Sequence, residues 1–479
     1  MKHALFSLQA ILGLAIAGAY TEAQADSLRI DTATWFKRSA ADSTTLAAAD
    51  KCWVGNNVVL GAGTATAAAN AHYRAILDNP LPGCAFSDGY FYTAHVAWVA
   101  DPVAPPADPA QVWYFGALGT NEKVADDRLG PLSLALGGSK FWKSNNPEIY
   151  YGSGWLMQNS RSDAVRGGSA NPLSGCFPAY FFHINQSGGT AYLHLLASNP
   201  QAGSVTVSAK GSAYSNSTKP LTGKATGQSY AVSKDWRDAT FLTNFSNRSV
   251  GSGQVTEIAK LTMASSNMGD GRFEVCASAG VYLYTVVTTT GTTTDAINKS
   301  QGLPASGEIR STSPTAFGRE GGVYRSSSAT GLTNVVLPAG GGQVLGLAFN
   351  TTSKYNSRLQ EQTAAFDTRL GDSADRTYGN YGHQYDVGLR LFNTSATTRR
   401  VRLSFASSFT AATNSPSFTF NSAALLTGAK VDLYTMPTQP RQVLATYTLA
   451  PGSHHDARLL TYIAGLGVTN QQLVLETID

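Results

Sequence analysis

Apolar and polar residues alternate with a period of two along much of this chain. Over Ser204–Ala209 the residues Val205, Val207 and Ala209 fall on one face, while Thr206 and Ser208 fall on the other. Over Arg399–Phe405, Val401, Leu403 and Phe405 face one way, and Arg400, Arg402 and Ser404 the other. Period-two alternation marks a strand with one buried and one wet face. Each of these strands follows another apolar run across a short polar stretch. Thr190–Ala197 precedes the first across Ser198–Gly203, and Tyr385–Phe392 precedes the second across Asn393–Thr398. The pattern predicts a hairpin at each place. It also predicts strands over Gly89–Val99, Val112–Leu118, Gly280–Val287 and Gln442–Leu449, the last ending at the turn Ala450–Gly452. Gly340–Gly342 separates Val335–Leu337 from Val344–Phe349 and predicts a further hairpin. Asp101–Pro109 is a stiff Pro-rich connection. Helical pattern is scarce. Thr64–Leu77, rich in Ala and stopped by Asn79 and Pro80, predicts one short helix.

The fold class expected is mainly β, because short strands separated by Gly, Asn, Ser and Pro turns argue β-sandwiches. The organisation read from the pattern is a signal peptide over 1–25 and an N-terminal β-rich module with one short helix over 26–140. A first Ig-like β-sandwich follows over 141–290, then an irregular β segment or linker over 291–376, and a C-terminal β-sandwich over 377–479. The pattern leaves open whether 291–376 packs as its own unit or decorates the C-terminal sandwich.

The start of the chain adds a location. Lys2 and His3 precede an apolar stretch from Ala4 to Tyr20, and Ala23-Gln24-Ala25 is a small-residue cleavage site. The apolar run is shorter than the roughly 20 residues a spanning helix needs. The protein is therefore expected to be exported, to a periplasmic, cell-surface or extracellular location, without a transmembrane anchor. Four cysteines, Cys52, Cys84, Cys176 and Cys276, suit two disulfides in an oxidising compartment. Three pairings are open. Cys52–Cys84 with Cys176–Cys276 is favoured because each pair then staples one region. The cysteines lie too far apart in sequence for a zinc site of the usual spacing.

Charge narrows the function classes. Only 14% of the residues are charged and the net charge is +4, against roughly 25% charged in ordinary soluble domains. That balance excludes a polyanion binder built on a basic field, so no nucleic-acid partner is expected. The chain carries no G-x-S-x-G elbow, H-E-x-x-H helix, P-loop or EF-hand loop. No catalytic residue, metal ligand or cofactor is assigned from the sequence. Seven N-x-[ST] sequons, among them Asn185 and Asn393, are about what chance places in so Ser/Thr-rich a chain.

Three spots carry polar and aromatic residues together. Gly452–Asp456 places His454, His455 and Asp456 after a turn, where side chains of an extended chain point apart. Asn145–Trp155 mixes Gly, amides and aromatics at a strand start. Tyr378–Tyr385 is the candidate ligand-binding loop: Tyr378, Tyr381 and Tyr385 could stack on a sugar ring while Asn380 and His383 bond its hydroxyls. The same tyrosines could equally cap a sandwich edge. Their exposure separates the two readings.

Asn145–Glu148, the Gly/aromatic stretch to Trp155, Leu193–Pro200, Tyr378–Tyr385 and the Leu449–Gly452 turn occur in an order that resembles a known group. The group is a set of uncharacterised exported proteins, best known from cyanobacterial genomes and classed as a domain of unknown function. The resemblance covers roughly 130–479. Residues 26–130 do not share it. It implies export and supplies no catalytic residues. The function expected is an exported structural or binding module at the cell surface or secreted, binding a cell-envelope glycan or another surface protein. The alternative is a secreted polysaccharide-acting hydrolase, with Glu148, Asp235, Asp238, Asp375 and Asp386 as candidate acids. That alternative requires two carboxylates paired in one cleft.

Overall fold

The computed structural model describes residues 27–56, 58–77, 81, 83–99, 111–160, 170–217, 219, 223–308, 319–351, 362–409, 419–463, 465 and 471–479. The expected signal peptide and the Pro-rich connection lie outside these residues. The fold is mainly β, with two α-helices among the described residues. The chain divides into two compact units, 1–105 and 106–479.

The first unit has strands β1 (Ser27–Ile30), β2 (Thr34–Lys37), β3 (Lys51–Val54), β4 (Val58–Ala68), β5 (His72–Leu77), β6 (Asp88–Tyr92) and β7 (Val96–Val99). They form one sheet in the order β3-β2-β6-β5-β4-β1-β7. One face buries Leu28, Ile30, Phe36, Ala75, Leu77 and Phe91. Gly89 lies where any Cβ would strike the Phe36 ring, so only glycine lets β6 approach β2 this closely. The Cys52–Cys84 disulfide ties the edge strand β3 to the segment before β6.

Two expectations change here. The helix expected over Thr64–Leu77 is the β4–β5 hairpin, with pairing from Ala62↔Leu77 to Ala68↔His72. Asn70 and Ala71 both take positive φ in its loop. Alanine suits a helix only weakly against tertiary context. On β5, Ala75 and Leu77 face the core while Arg74 and Ile76 are exposed, and a helix could not reproduce that alternation. The single strand expected over Gly89–Val99 is broken into β6 and β7 by a 3-10 turn over Thr93–His95.

The second unit contains β8 (Tyr114–Phe115), β9 (Leu129–Gly130), β10 (Ala135–Gly137), β11 (Phe141–Ser144), β12 (Ile149–Tyr150), β13 (Gly154–Gln158), β14 (Leu173–Asn185), β15 (Ala191–Ser198) and β16 (Val205–Ser215). Helix α1 (Gln228–Asp238) follows, then β17 (Thr243–Val250), β18 (Val255–Met263), β19 (Met268–Thr288) and α2 (Thr293–Gln301). The rest is β20 (Gly321–Tyr324), β21 (Ser328–Val336), β22 (Gln343–Phe349), β23 (Phe366–Arg369), β24 (Gln384–Phe392), β25 (Arg399–Ser407), β26 (Phe420–Leu426), β27 (Ala429–Thr435), β28 (Arg441–Leu449), β29 (His454–Tyr462) and β30 (Gln471–Thr477).

The long strand β19 serves two sheets. Its first half pairs with β14 and β16, its second half with β13 and β15. Between the two sheets lies one core that includes Trp142, Phe181, Leu195, Phe273 and Leu283. The Cys176–Cys276 disulfide joins directly opposed residues of β14 and β19. A second pair of sheets, β10-β21-β24-β29-β26-β27 and β28-β25-β30-β22-β8, encloses Leu347, Leu389, Leu403, Leu459 and Leu475.

Strands of 291–376 go to both cores. β20 and β23 extend the first sandwich, whereas β21 and β22 lie in opposite sheets of the second. The three expected hairpins are arches. β15 and β16 pair with opposite halves of β19 rather than with each other, and β21 and β22, and β24 and β25, lie in different sheets. Alternation shows which side of a strand is apolar, but not which strand it pairs with.

Two of these arches, β15–β16 and β24–β25, share one polar device. Asn199 donates to Gly203 O and Val250 O and accepts from Gln201 N. Asn393 donates to Thr397 O and Leu449 O and accepts from Ser395 N. Asn185 does the same at a third turn, with Gly189 O, Met263 O and Ser187 N. Each buried amide closes its own turn and ties it to a distant strand end. Asn185 and Asn393 are therefore structural asparagines despite their sequons.

Candidate functional site

The alternation of β2 and β3 places Phe36 and Val54 in the core of the first unit and turns Trp35 and Trp53 to the opposite face. Trp35 and Trp53 are cross-strand partners, with ring centroids 5.0 Å apart in an edge-to-face arrangement. Such a pair adds about 0.5–1.5 kcal/mol beyond the area it buries. On the next two strands of the sheet, Tyr92 of β6 and His72 of β5 are also directly opposed, at 5.7 Å. The 3-10 turn after β6 then sets His95 against Tyr92 at 5.1 Å. Trp53 is 59% and Tyr92 40% exposed, so neither ring is used up in packing.

These residues line a cleft of about 690 Å³, together with Ala33, Thr34, Lys37, Ala40, Asp42, Ser43 and Asn70. That is a volume suited to a small organic ligand. Lys37 and His72 are buried at its floor. The Lys37 ammonium donates to Ala41 O at 2.6 Å and lies 2.6 Å from His72 Nε2. His72 Nδ1 lies 2.7 Å from Asn70 O, so Nδ1 carries the hydrogen and Nε2 accepts from Lys37. Burial holds both groups below their ordinary pKa values, and the adjacent lysine lowers that of His72 further. Asp42 is exposed and caps a 3-10 turn, accepting from the backbone and hydroxyl of Thr44. Chemically, the cleft offers aromatic faces at its rim and hydrogen-bond donors below.

No sequence reading pointed to this cleft. The available signal was two tryptophans, Trp35 and Trp53, out of step with apolar neighbours on short strands.

The structure places the candidate loop Tyr378–Tyr385 differently from the exposed aromatic surface considered for it. Tyr378, Asn380, His383 and Tyr385 are buried, and Tyr381 is half-buried against the second sandwich core. Asn380, at φ 51°, donates to Gln362 O at 2.8 Å and Asn350 Oδ1 at 3.0 Å, and accepts from Thr377 Oγ1 at 2.6 Å. Tyr378 donates to Asp375. The His383 ring donates through Nε2 to Ser326 O and meets Phe141 edge-on, and burial holds its pKa well below the ordinary value. Gly382, at φ 77°, lets this loop lie on the Tyr180 ring. The loop is an internal plug whose polar side chains bond mainly to the segments packed around it.

The other two spots are also packed. His455 stacks on Tyr447, and Asp456 binds Arg390 in a two-pronged ion pair. Tyr150 and Trp155 are core residues. The candidate acids are engaged as well. Glu148 pairs with Arg319 and Asp386 with Arg458, while Asp238 meets both Arg237 and Lys430. Asp235 accepts from Tyr214, and Asp375 from Tyr378. Among the described residues no group of His, Cys, Asp and Glu could hold a metal ion, and no helix is long and apolar enough to cross a membrane.

Comparison with known proteins places residues 258–426 in similarity to the family described as "Protein of unknown function (DUF3370)". The match runs from β18 to β26 and lies inside the 130–479 region that carries the sequence resemblance. No curated protein matches the chain. Among solved structures, similarity is found to the N-terminal CBM22-1-CBM22-2 tandem domain of Paenibacillus barcinonensis Xyn10C. There the identity is 7%, coverage is 61% of this chain and 71% of that one, and the TM-score is 0.15. Lac15 from a marine microbial metagenome matches at 8% identity, over 95% and 87% of the two chains, with a TM-score of 0.12. The blue copper oxidase of Nitrosomonas europaea matches at 6% identity, over 70% and 78%, with a TM-score of 0.09. Likenesses at these TM-scores carry no argument about what this protein does.

Proposed function

We propose that this is an exported glycan-binding protein, at the cell surface or secreted, whose ligand stacks on Trp35, Trp53 and Tyr92 in the N-terminal cleft. The observation that carries the reading is the exposure of Trp53 and Tyr92 around a polar floor. Large rings left open to water cost hydrophobic free energy, and a sugar face covers such rings while its hydroxyls reach the donors beneath. The two disulfides are compatible with export, because disulfides persist in oxidising compartments. The hydrolase reading finds less support in this cleft, since Asp42 is the one carboxylate among its described lining residues and glycoside hydrolysis uses a pair.

The test is a glycan array probed with the full chain, followed by titration of each hit using tryptophan fluorescence. Trp53→Ala and Tyr92→Ala should each weaken binding at least tenfold at a temperature where the variant remains folded, with only a few degrees lost in melting temperature. Absence of any glycan hit, or hits that survive both substitutions, would reject the proposal.

A further inference from the structure

Lys37 is 5% exposed, yet among the described residues its ammonium is contacted directly only by the Ala41 carbonyl and the neutral His72 imidazole. An ammonium has three hydrogens to donate, and these two partners use two of them. No carboxylate lies within ion-pair distance of Lys37 among the described residues. Two other buried cations are neutralised by direct pairing, Lys143 with Glu320 and Arg441 with Glu476, whereas buried Arg272 donates to the Gly382 carbonyl and lies over the Trp236 and Tyr462 rings. A buried charge without a counter-charge is costly unless something supplies one. Asp42, the carboxylate among the described lining residues, favours the charged form of Lys37 through space, but it is exposed, makes no direct ion pair with Lys37 and is occupied with its Thr44 cap. Lys51, opposite Lys37 in the β2–β3 register, adds a second cation on the same face. Its Nζ lies 5.2 Å from the Trp35 ring centre and donates to Ser43 O.

We propose that the cleft selects acidic sugars, with the carboxylate of a uronic-acid residue completing the ammonium of Lys37 while the sugar ring lies on the Trp53 and Tyr92 faces. The inference rests on the glycan-binding reading above and adds the ligand's charge to it. A carboxylate is the group that fits, because it accepts the third ammonium hydrogen and supplies the missing negative charge in one contact. A neutral hydroxyl supplies only the first. Asn70, whose amide also donates to Ala40 O, and His95, whose Nδ1 lies 3.0 Å from Thr34 Oγ1, are on the lining within reach of the hydroxyls of the same residue.

The experiment uses the full chain and two forms of one polymer fragment, oligogalacturonate and its methyl ester. The two share a backbone and differ in charge. Polyglutamate of equal charge is the third probe. The acid form should bind at least about tenfold more tightly than the ester, since a hydrogen bond to a charged group is worth roughly 1.5–3 kcal/mol. The difference should shrink as salt is raised. Lys37→Met should bring the acid form down to the level of the ester, while Trp53→Ala weakens both. Should Lys37→Met fail to fold, the acid-to-ester ratio of the unaltered protein and its salt dependence decide. Equal affinity for acid and ester overturns the inference and leaves the glycan reading standing, as does a preference that Lys37→Met does not change. Polyglutamate binding as tightly as the acid glycan overturns the sugar assignment. Failure of every glycan to bind overturns both readings.

Discussion

Nζ of Lys37 lies 2.6 Å from Nε2 of His72, and this contact can exist only while the imidazole is neutral. Protonating His72 would put two cations together at a buried floor. Its pKa in the folded protein is held below the ordinary 6.5 by burial, with the lysine adding to the effect. The unfolded chain therefore takes up a proton that the folded one refuses, and stability falls as pH drops below about 6.5. Hydrogen exchange of peptides covering β2 and β5 should show faster opening at pH 5 than at pH 7.5. His72→Gln keeps an acceptor for Lys37 and should remove that difference. An unchanged difference would assign the pH dependence elsewhere.

Asp270 in the second unit should act in the opposite direction. Burial without an ion pair among the described residues pushes its pKa up to about 7, against the opposing pull of the hydrogen bond it accepts from Ser229 Oγ at 2.5 Å. Between the ordinary carboxylate value and 7 the folded protein keeps a proton that the unfolded chain has released. Stability of this unit therefore falls as pH rises through that window, by a few kcal/mol in order of magnitude. Asp270→Asn should flatten the slope in urea unfolding followed at pH 5 and pH 8. A variant as pH-sensitive as the original would rule the residue out.

Asn380 makes a third case. Replacing it with Ala removes four side-chain hydrogen-bond contacts in and around the plug and leaves a left-handed backbone to a residue that tolerates it poorly. Roughly 2–4 kcal/mol of destabilisation is expected. Glycan binding should be unaffected at temperatures where the variant is folded. A loss of binding with no loss of stability would return the ligand site to this loop.

Removing the disulfides should cost unequal amounts. Cys176–Cys276 spans 100 residues and Cys52–Cys84 spans 32. On chain-entropy grounds their loss costs roughly 4–5 and 3–4 kcal/mol. Cys52→Ala/Cys84→Ala should also loosen the edge strand that carries Trp53, and glycan affinity should fall with it. Cys176→Ala/Cys276→Ala should leave affinity intact. Equal loss of affinity in both variants would contradict a site confined to the first unit.

Asn393→Asp tests the arches. The change keeps the acceptor for Ser395 N but puts a carboxylate against the carbonyls of Thr397, Leu449 and Ala450. A drop in melting temperature of several degrees is expected, in line with a loss of 1–3 kcal/mol or so. The same change at exposed Asn70 should have a much smaller effect.

Much of the architecture was legible in local pattern. Period-two runs such as Val401–Phe405 and Val205–Ala209 became strands with the predicted faces inward. Such patterning records a demand that each strand must meet wherever it packs. The four cysteines likewise constrained the fold to a few pairings. The alanine-rich stretch before Leu77 misled because helix propensity there is worth only tenths of a kcal/mol per residue, less than the core burial of Ala75 and Leu77. The tyrosines of the Tyr378–Tyr385 loop misled for a related reason. Composition shows that a ring could stack on a ligand, but whether it is free to do so depends on what covers it.

The sequence by itself determined that this is a mainly β protein whose strands each have one apolar face, and that its cysteines suit two staples. Tertiary structure alone decided that successive strands arch between sheets, that 291–376 is divided between two cores, and that Trp35, Trp53, Tyr92, Lys37 and His72 meet around one cleft. Alternation is a property of a strand and survives any partner. Pairing, burial of a polar loop, and the meeting of β2, β3, β5 and β6 residues on one face are properties of the packed sheet. They depend on contacts between residues far apart in the chain, which no local pattern encodes.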